Sequence, residues 1–490
     1  PTSFFLLYVI IVIYMIKRSA PTFFVILALL LAINPAFASG AAEYTNSSSK
    51  TNVTAASPDR ISTDMESLKT LYRYIDTLYY ENIDNDAVME KMAQAMLDAL
   101  GDKYSFYTPP SKANDYKETL EGKYGGIGVY LTKPSPSNND MNDPSSYMVT
   151  IVSCFASSPA MRSGLHSGDL ISAIEGEKVD NMTSTEVSDK LRGDAGTEVN
   201  VTIYRNGQSF DISIKREIIN TPTVSSTMLE NSIGYIMISS YTQATSTQLL
   251  SAVKGLMDKG MKSLIIDERN NHGGDVDICL QCANIFLKTG DVIVSLEGRK
   301  GTNTNQRYLS TGSQQVGNEV PIVILTNEGS ASSAEIFAAA LHDNKRATLI
   351  GSKTFGKGIV QTIFPFGKGY VQITTGHYYT PAGVSIHGTG IEPDIAVADL
   401  ELKDDQISAY EQLMKEKTIS RFVDEHKEFT PMNLQLFADT EKDSGIDQQI
   451  LKILVRNEYY ARMNYADVPI ADAQFDPPLK RALEFLQSGK

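Results

Sequence analysis

The chain has 490 residues, 42% of them hydrophobic and 21% charged, so its composition is that of a globular protein too long for a single hydrophobic core. Its 44 lysine and arginine residues are outnumbered by 58 aspartate and glutamate residues, giving a formal net charge of −14. This excess of negative charge argues against nucleic acid and against an anionic membrane surface as partners. The three cysteines are too few for a disulfide framework.

Two apolar runs lie near the N-terminus, at residues 4–16 and 23–33, with two basic residues between them. A segment beginning at Met15 has a basic start, an apolar centre and the A-x-A pattern of a signal-peptidase site at residues 36–38. We interpret Met15 as the true initiator and the residues before it as an upstream artefact, so that the N-terminal apolar region, residues 1–38, contains a signal that directs export to a bacterial periplasm or cell envelope. Alternatively, the two runs form a membrane tether, although each is shorter than the ~20 residues of a spanning helix.

Small polar residues at 39–57 predict a flexible linker. From residue 58 to 117, apolar residues recur at intervals of three and four, which predicts an N-terminal helical region. Amphipathic helices of this kind pack either on the protein's own core or on a second subunit.

A glycine-rich stretch opens a predicted peptide-binding module at residues 118–217. Its glycines leave backbone N–H groups available for a peptide's terminal carboxylate, and the strand after them can accept an added strand from the peptide. The order of the sequence motifs that follow, including a predicted helix at 184–191, resembles that of a PDZ domain. The candidate peptide-binding residues of this entrance are Tyr124, Gly125, Gly126, Ile127 and Gly128.

Strands and helices then alternate, which predicts an α/β core at residues 218–400. One predicted strand, at 263–266, ends in the turn Asp267-Glu268-Arg269-Asn270-Asn271-His272-Gly273-Gly274. His272 is a candidate base, but no aspartate is placed to orient it.

The other histidines have no metal-ligand spacing, so we predict neither a metal nor another cofactor. Cys279 and Cys282 lie within a predicted helix, where buried packing is a better interpretation than a redox or metal pair.

The most informative stretch begins with an apolar strand at residues 322–325, which turns into Ser330, Ser332 and Ser333 before a helical pattern starts. A hydroxyl at a strand-to-helix junction lies beside unpaired backbone N–H groups. An acyl-transfer enzyme needs its nucleophile and its oxyanion donors together in such a place. A serine at a helix start is also a common cap, so this pattern alone does not establish catalysis.

A second strand, at 347–350, leads to Lys357 between Gly356 and Gly358. The two glycines allow the backbone to pass close to another segment. A lysine desolvated there would bind its proton less tightly and could act as a general base on a serine. For Lys357 considered by itself, the alternative to a general base is a solvent-exposed side chain without a catalytic role.

Together, NEGSASSAE and TFGKGIVQT closely resemble the active-site region of the C-terminal processing peptidases, also called tail-specific proteases, which are serine endopeptidases with a Ser-Lys dyad. The resemblance implies that Ser332 is the nucleophile, that Lys357 is the base and that Gln361 orients the lysine. This chain has Ser332-Ser333-Ala334-Glu335 where the family usually reads S-A-S-E. Ser330 and Ser333 are therefore rival nucleophiles, but only Ser332 keeps the family's spacing to Lys357.

The resemblance also covers the glycine turn, which in the family reads D-L-R-N-N-P-G-G; Glu268 and His272 are substitutions in this chain. It implies an oxyanion hole made by the backbone N–H of Ser333 and that of Gly273 or Gly274. Arg192, just after the helix of the PDZ-like module, either couples peptide binding to the protease or remains a solvated charge.

The fold that the resemblance implies is α/β (α+β multidomain): a crotonase-like and ClpP-like core interrupted by the PDZ domain, with helical arms on both sides. The C-terminal helical region, residues 401–490, suits a dimer contact or a lid. The implied function is an exported serine endopeptidase that binds protein or peptide substrates through accessible C-termini and works as a homodimer, with or without an activator protein. A non-catalytic PDZ scaffold of the cell envelope is the alternative.

Overall fold

The computed structural model describes residues 58–133, 144–155, 157–300, 305–312, 314–463 and 467–488. The predicted signal region and linker therefore lie outside the described residues. Helices and strands are mixed, with helical segments before and after the strands, which confirms the predicted fold class. None of the described helices is both long enough and apolar enough to cross a membrane.

The smaller of two compact units consists of the described residues up to Ala113 and of Gln361–Thr374. It contains helices α1 (Pro58–Leu78) and α2 (Asn85–Asp98) and strand β1 (Phe106–Thr108). The sequence predicted only helices in this region. Strand β1 pairs antiparallel with residues 370–372, and a local pattern cannot reveal a partner so distant in the chain.

The larger unit begins within helix α3 (Pro110–Glu121) and contains the predicted PDZ module. Strand β2 (Lys123–Gly126) forms an antiparallel ribbon with β9 (Glu217–Asn220) at the entrance and exit of this module. Between them lies an antiparallel sheet in the order β3-β4-β5-β7-β8, with β6 beside β5. Its strands are β3 (Val129–Thr132), β4 (Val149–Cys154), β5 (Leu170–Ile174), β6 (Glu177–Lys178), β7 (Glu198–Arg205) and β8 (Gln208–Lys215).

Two helices accompany this sheet, the single turn α4 (Pro159–Arg162) and α5 (Ser184–Leu191). The start of α5 is fixed by a capping box, in which Thr183 Oγ1 accepts a bond from Glu186 N while the Glu186 carboxylate accepts one from Thr183 N. In the sheet order β3 is an edge strand, so one of its sides is open to an added strand within the part of the chain that the structure describes.

A second, mostly parallel sheet forms the rest of the core, in the order β10-β11-β12-β15-β16-β19. Its strands are β10 (Val224–Leu229), β11 (Ile233–Ile238), β12 (Ser263–Asp267), β15 (Ile322–Thr326), β16 (Thr348–Gly351) and β19 (Ile395–Ala396). Only β10 runs antiparallel to its neighbour. Every residue of β12 and β15 is buried, which explains why these strands are apolar runs without alternation.

Helices cover both faces of this sheet. One face buries its side chains against α6 (Thr245–Asp258), α7 (Val276–Asn284) and α8 (Ser333–Asp343), and the other against α13 (Pro477–Gln487). Because β12, β15 and β16 are parallel neighbours, the loops that follow them emerge at the same edge of the sheet. These loops carry the glycine turn, the serine cluster and the lysine segment.

The remaining strands are β13 (Val292–Gly298), β14 (Gln306–Leu309), β17 (Ile359–Phe366) and β18 (Gly369–Tyr379). The C-terminal region is helical, as predicted, with α9 (Ile407–Lys415), α10 (Thr418–Glu425), α11 (Pro431–Thr440) and α12 (Gln448–Arg462) around their own apolar cluster. Arg269, after β12, binds Asp476 at the start of α13 with a shortest N–O distance of 2.6 Å, which fixes the last helix to the sheet.

A histidine clamp holds the end of helix α8. His342 Nδ1 lies 3.0 Å from Asp343 Oδ1, and its Nε2 lies 3.1 Å from Asp394 Oδ1. The other oxygens of the two carboxylates accept bonds from Ala382 N and Leu349 N. Burial lowers the pKa of His342, but the two aspartates raise it, and the net pKa is above the ordinary value.

The His342→Gln variant is expected to lower the melting temperature at pH 6 and to have a smaller effect at pH 8.5. A pKa that is higher in the folded protein gives stability that is fully present below the unfolded value of about 6.5 and is lost as the pH rises through the folded value. Thermal unfolding at both pH values checks this, with the exposed His166→Gln as control. A decrease in melting temperature that is constant or becomes larger as the pH rises would contradict this stabilising role of His342.

Candidate active site

Ser332 has an unusual backbone conformation at the junction of β15 and α8. Its φ is 57° and its ψ −116°, in a region that side-chain-bearing residues rarely adopt, and it is 8% exposed. Strain at one residue persists only where the surroundings impose it, and such residues cluster at functional sites. A serine on a sharp strand-to-helix turn is also how hydrolases present a nucleophile.

The two rival serines already use their hydroxyl groups within the protein. Ser330 Oγ donates to Glu268 O at 2.8 Å and accepts from Asn327 N at 3.0 Å. Ser333 Oγ donates to Gly274 O at 2.9 Å. Both residues are fully buried, so their geometry favours Ser332 as the nucleophile.

One buried carboxylate binds both the serine loop and the lysine segment. Glu335 Oε2 accepts bonds from Ser332 N at 2.9 Å and from Lys357 N at 2.8 Å. Its Oε1 accepts from Gly356 N at 2.8 Å and from Thr354 Oγ1. Because two backbone nitrogens bind the same oxygen, the backbones of Ser332 and Lys357 are held side by side.

Glycines let the Lys357 segment approach a neighbouring turn at residues 386–390, as the sequence predicted. A Cβ at Gly356 would lie 2.8 Å from Gly390 N, and one at Gly358 would lie 2.5 Å from His387 N. Lys357 itself is half-buried. Its aliphatic stem is therefore partly shielded from water.

The glycine turn after β12 lies against the serine loop. A Cβ at Gly273 would be 2.8 Å from Ser333 N and 2.9 Å from Ser332 Cβ, so only glycine permits this approach. The φ of Gly273 is 95°, which also favours glycine. The turn is thus close enough to contribute a donor beside the candidate nucleophile.

The two glycines of the turn differ in the use of their N–H groups. Gly273 N donates to Asn271 Oδ1 at 2.9 Å. No hydrogen bond from Gly274 N or Ser333 N is found within the described ranges. Of the two alternatives that the sequence left open, Gly274 is therefore the better partner for Ser333 in an oxyanion hole.

Gly273→Ala is expected to lower kcat by about 10²-fold, because its methyl group would push the glycine turn away from the serine loop. Gly290→Ala is a matched control: its φ of 90° is similar, but nothing lies within 4 Å of the added methyl group. Initial cleavage rates and melting temperatures of both variants check the prediction. Equal losses of activity would show that backbone strain alone is responsible.

Two family models and several known proteins match this chain. The model of peptidase family S41 matches residues 232–397, and the PDZ domain model matches residues 125–215. A carboxy-terminal-processing protease of Bartonella bacilliformis is 37% identical over 334 residues, which are 67% of this chain and 73% of that protein. A "probable CtpA-like serine protease" of Staphylococcus aureus is 34% identical over 335 residues, which are 68% of this chain and 65% of that protein.

The chain belongs to peptidase family S41. It is a serine peptidase with a PDZ domain, and it acts on protein substrates. The solved structure of a photosystem II D1 C-terminal processing protease is 26% identical to it, covers 68% of this chain and 86% of its own, and superposes with a TM-score of 0.39.

Gln361 lies in the smaller unit of this S41 peptidase. Its Nε2 is 3.5 Å from Thr374 Oγ1, which donates to Asp102 Oδ2 at 2.6 Å. The role of Gln361 in orienting Lys357 stays a prediction.

The histidine and the two cysteines that the sequence analysis considered for chemical roles differ in their exposure to solvent. His272 is exposed. Cys279 and Cys282 are fully buried on α7, where burial raises the pKa of both thiols, and Cys279 Sγ lies 3.1 Å from Ser333 O. The contact of Cys279 supports the first turn of α8.

The candidate peptide-binding residues of the PDZ domain are divided between strand β2, the module's apolar core and the position just before the edge strand β3. Tyr124, Gly125 and Gly126 belong to strand β2, which pairs with β9. Ile127 is buried in the module's apolar core, and Gly128 follows it with a φ of 76° immediately before the edge strand β3.

Arg192 lies at the end of α5, near the entrance of the PDZ module. Its guanidinium carbon is 4.8 Å from the centre of the Tyr124 ring, and its Nη1 is 3.9 Å from Glu118 Oε2. Arg192 is exposed, so both contacts lie at the protein surface and the alternative of a solvated charge stays open. A coupling role for Arg192 stays a prediction.

Sequence reasoning missed several buried polar residues of the S41 site. Glu335 could have been found, because a serine followed three residues later by glutamate is a capping-box pattern, and Ser332 and Glu335 have this spacing. Tyr241, Glu268 and Asn271 are buried and bonded to one another beside the glycine turn, and they have no local signature. Their importance comes from contacts across loops.

Proposed function

We propose that the protein is an exported endopeptidase that captures a protein's C-terminal tail in its PDZ domain and cleaves the preceding segment with Ser332 and Lys357. The observation that carries this proposal is the Glu335 carboxylate, which holds the backbones of the two residues through a single oxygen. Family membership supplies the serine peptidase activity, and the buried bonds of Ser330 and Ser333 favour Ser332 among the serines.

In the first half of the reaction, Ser332 Oγ attacks the scissile carbonyl carbon while a neutral Lys357 amine accepts the hydroxyl proton. The negative charge on the carbonyl oxygen is stabilised by the N–H groups of Ser333 and Gly274. When the C–N bond breaks, the Lys357 ammonium returns its proton to the leaving amine. The products are an acyl-enzyme and a new N-terminus.

In the second half, water attacks the ester carbon of the acyl-enzyme and Lys357 removes a proton from it. The proton then passes to Ser332 Oγ as the ester bond breaks, which releases a new carboxylate and restores the enzyme. Residues of the chain perform every step, and no cofactor is required.

Substrate selection is assigned to the PDZ domain. The peptide adds as a strand along the open edge of β3, and its terminal carboxylate binds backbone N–H groups at Ile127 and Gly128, since Gly126 is paired with β9. Export, a homodimer and an activator protein are further parts of the proposal that rest on the sequence. The smaller unit and the C-terminal helices are candidate dimer contacts.

The test uses three peptides that share one sequence before the tail. The first has a nonpolar tail with a free carboxylate, the second has the same tail with a terminal amide, and the third has an acidic tail. We expect the free carboxylate to be cleaved at least about tenfold faster at low concentration than the amide, because the charged terminus forms the strongest hydrogen bonds. Mass spectrometry locates the cut, which is expected upstream of the tail. Equal rates would rule out tail capture, and no cleavage of any peptide would favour the scaffold alternative.

A further inference from the structure

A buried polar cluster lies beneath the glycine turn. It consists of Tyr241, Glu268 and Asn271, which are 1%, 0% and 0% exposed. Tyr241 Oη donates to Glu268 Oε1 at 2.6 Å, and Asn271 Nδ2 donates to Glu268 Oε2 at 2.6 Å. Both oxygens of the buried carboxyl group therefore have partners, as burial of a polar group requires.

The cluster continues directly into the glycine turn. Asn271 Oδ1 accepts the bond from Gly273 N at 2.9 Å, and Tyr241 N donates to Gly273 O at 3.0 Å. Tyr241 O accepts from Asp275 N at 2.8 Å on the other side of Gly274. The turn is thus fixed from both ends, which leaves Gly274 N as the donor without a partner among the described residues.

The same residues also hold the serine loop. Glu268 O accepts from Ser330 Oγ at 2.8 Å, and Asn271 O accepts from Ala331 N at 2.9 Å. The two loops that carry the candidate oxyanion donors are therefore bonded to one cluster. None of the cluster's three side chains is bonded to Ser332 or Ser333, so these residues act through the backbone that they hold.

We propose that Tyr241, Glu268 and Asn271 are positioning residues that set the oxyanion donor Gly274 N beside Ser332. This inference rests on the proposed function and extends it to residues without a catalytic contact. Glu268 is the centre of the cluster, although the family motif that the turn resembles has leucine at this position. A leucine there would leave the Tyr241 hydroxyl and the Asn271 amide without their acceptor.

The electrostatic surroundings of Glu268 are compatible with this role. Desolvation raises the pKa of Glu268 well above its ordinary value, and the bonds from Tyr241 and Asn271 oppose that shift. The other titratable groups that act on it are Asp267 on β12 and the thiols of Cys279 and Cys282 on α7.

The first test compares two buried tyrosines. Tyr241→Phe removes the bond to Glu268 and is expected to lower kcat by about tenfold with KM unchanged, since a misplaced oxyanion donor weakens the transition state but not substrate binding. Tyr235→Phe is the matched control, because Tyr235 is also 1% exposed and donates to a carboxylate, Asp267 Oδ2 at 2.7 Å, but its bond lies at the end of strand β12 and involves neither Glu268 nor Asn271. Equal kcat values for the two variants would overturn the inference.

The second test replaces the carboxyl group itself. Glu268→Gln keeps an acceptor for Asn271 and a polar contact for Tyr241, so its kcat is expected to stay within about threefold of the parental value. Glu268→Leu keeps neither, and its kcat is expected to fall by about 30-fold or more with KM unchanged. A fluorophosphonate that reacts with the serine should label the variants in the same order of rates. Parental kcat in Glu268→Leu would overturn the proposal.

Ser332→Ala separates failure of this inference from failure of the proposed function. If Ser332→Ala keeps its activity, the proposed function is wrong. If Ser332→Ala is inactive while Tyr241→Phe and Glu268→Leu keep the parental kcat, only the positioning role is wrong. Melting temperatures and PDZ peptide affinities show whether a variant has kept its fold.

Discussion

Replacing Ser332 by alanine is expected to lower kcat by about 10⁴-fold or more, and replacing Lys357 by alanine should have a comparable effect. The nucleophile and its base act as one unit, so losing either removes covalent catalysis and leaves only what the oxyanion donors and binding contribute. Initial rates on the free-carboxylate peptide measure the loss. Peptide binding by the PDZ domain should not change, because neither substitution lies in that domain.

Lys353→Ala is the control for the lysine. Lys353 lies on the same loop, is exposed, and pairs with Glu392 at 2.8 Å across the surface, so its removal should leave kcat within about twofold. Near-parental activity in Ser332→Ala would exclude this serine as the nucleophile, and Ser330 or Ser333 would then have to be tested. Activity in Lys357→Ala would require another base.

Replacing Glu335 by alanine is expected to lower kcat by about 10³-fold and to destabilise the protein by roughly 3 kcal/mol or more. Four donors, including the backbone N–H groups of Ser332 and Lys357, would lose their buried acceptor, and each such donor costs about 1–3 kcal/mol. The two catalytic segments would also be free to separate, and small misplacements of reacting groups reduce rates strongly.

Glu335→Gln separates the two effects, because it keeps the size of the side chain but points an amide N–H at two of the four donors. We expect it to be more stable than Glu335→Ala and still at least about 10²-fold slower than the parent. Glu328→Gln on the preceding turn, where the side chain is exposed, is the control for charge removal. Parental kcat in a folded Glu335→Gln would show that the shared carboxylate does not position the site.

Local sequence patterns predicted the strands of the parallel sheet closely. Strands β12 and β15 begin at the predicted residues and each extend one residue beyond the predicted end, and β16 is shifted by one residue from the predicted 347–350. Strands buried on both faces are nearly continuous apolar runs, so their positions are readable from composition alone. The three-residue strand β1 was missed because its partner lies more than 260 residues away.

The sequence indicated which segments carry Ser332, Lys357 and the glycine turn, since their residue types and spacing have a recognisable pattern. It did not indicate Glu335 as the shared acceptor or the cluster around Glu268. It also left Gly273 and Gly274 as equal alternatives. In each case the decisive hydrogen bond joins different loops or depends on a turn that no local pattern describes.

The amino-acid order by itself therefore determined the buried strands of the parallel sheet and the residue types available for catalysis, because neighbouring side chains and backbone preferences fix these locally. Only the tertiary structure decided which serine hydroxyls are bonded to neighbouring loops, which glycine N–H lacks a partner among the described residues, and which carboxylate holds the backbones of Ser332 and Lys357 together. Those properties arise where the carboxyl ends of parallel strands converge, so they depend on residues that the chain keeps apart and the sheet brings together.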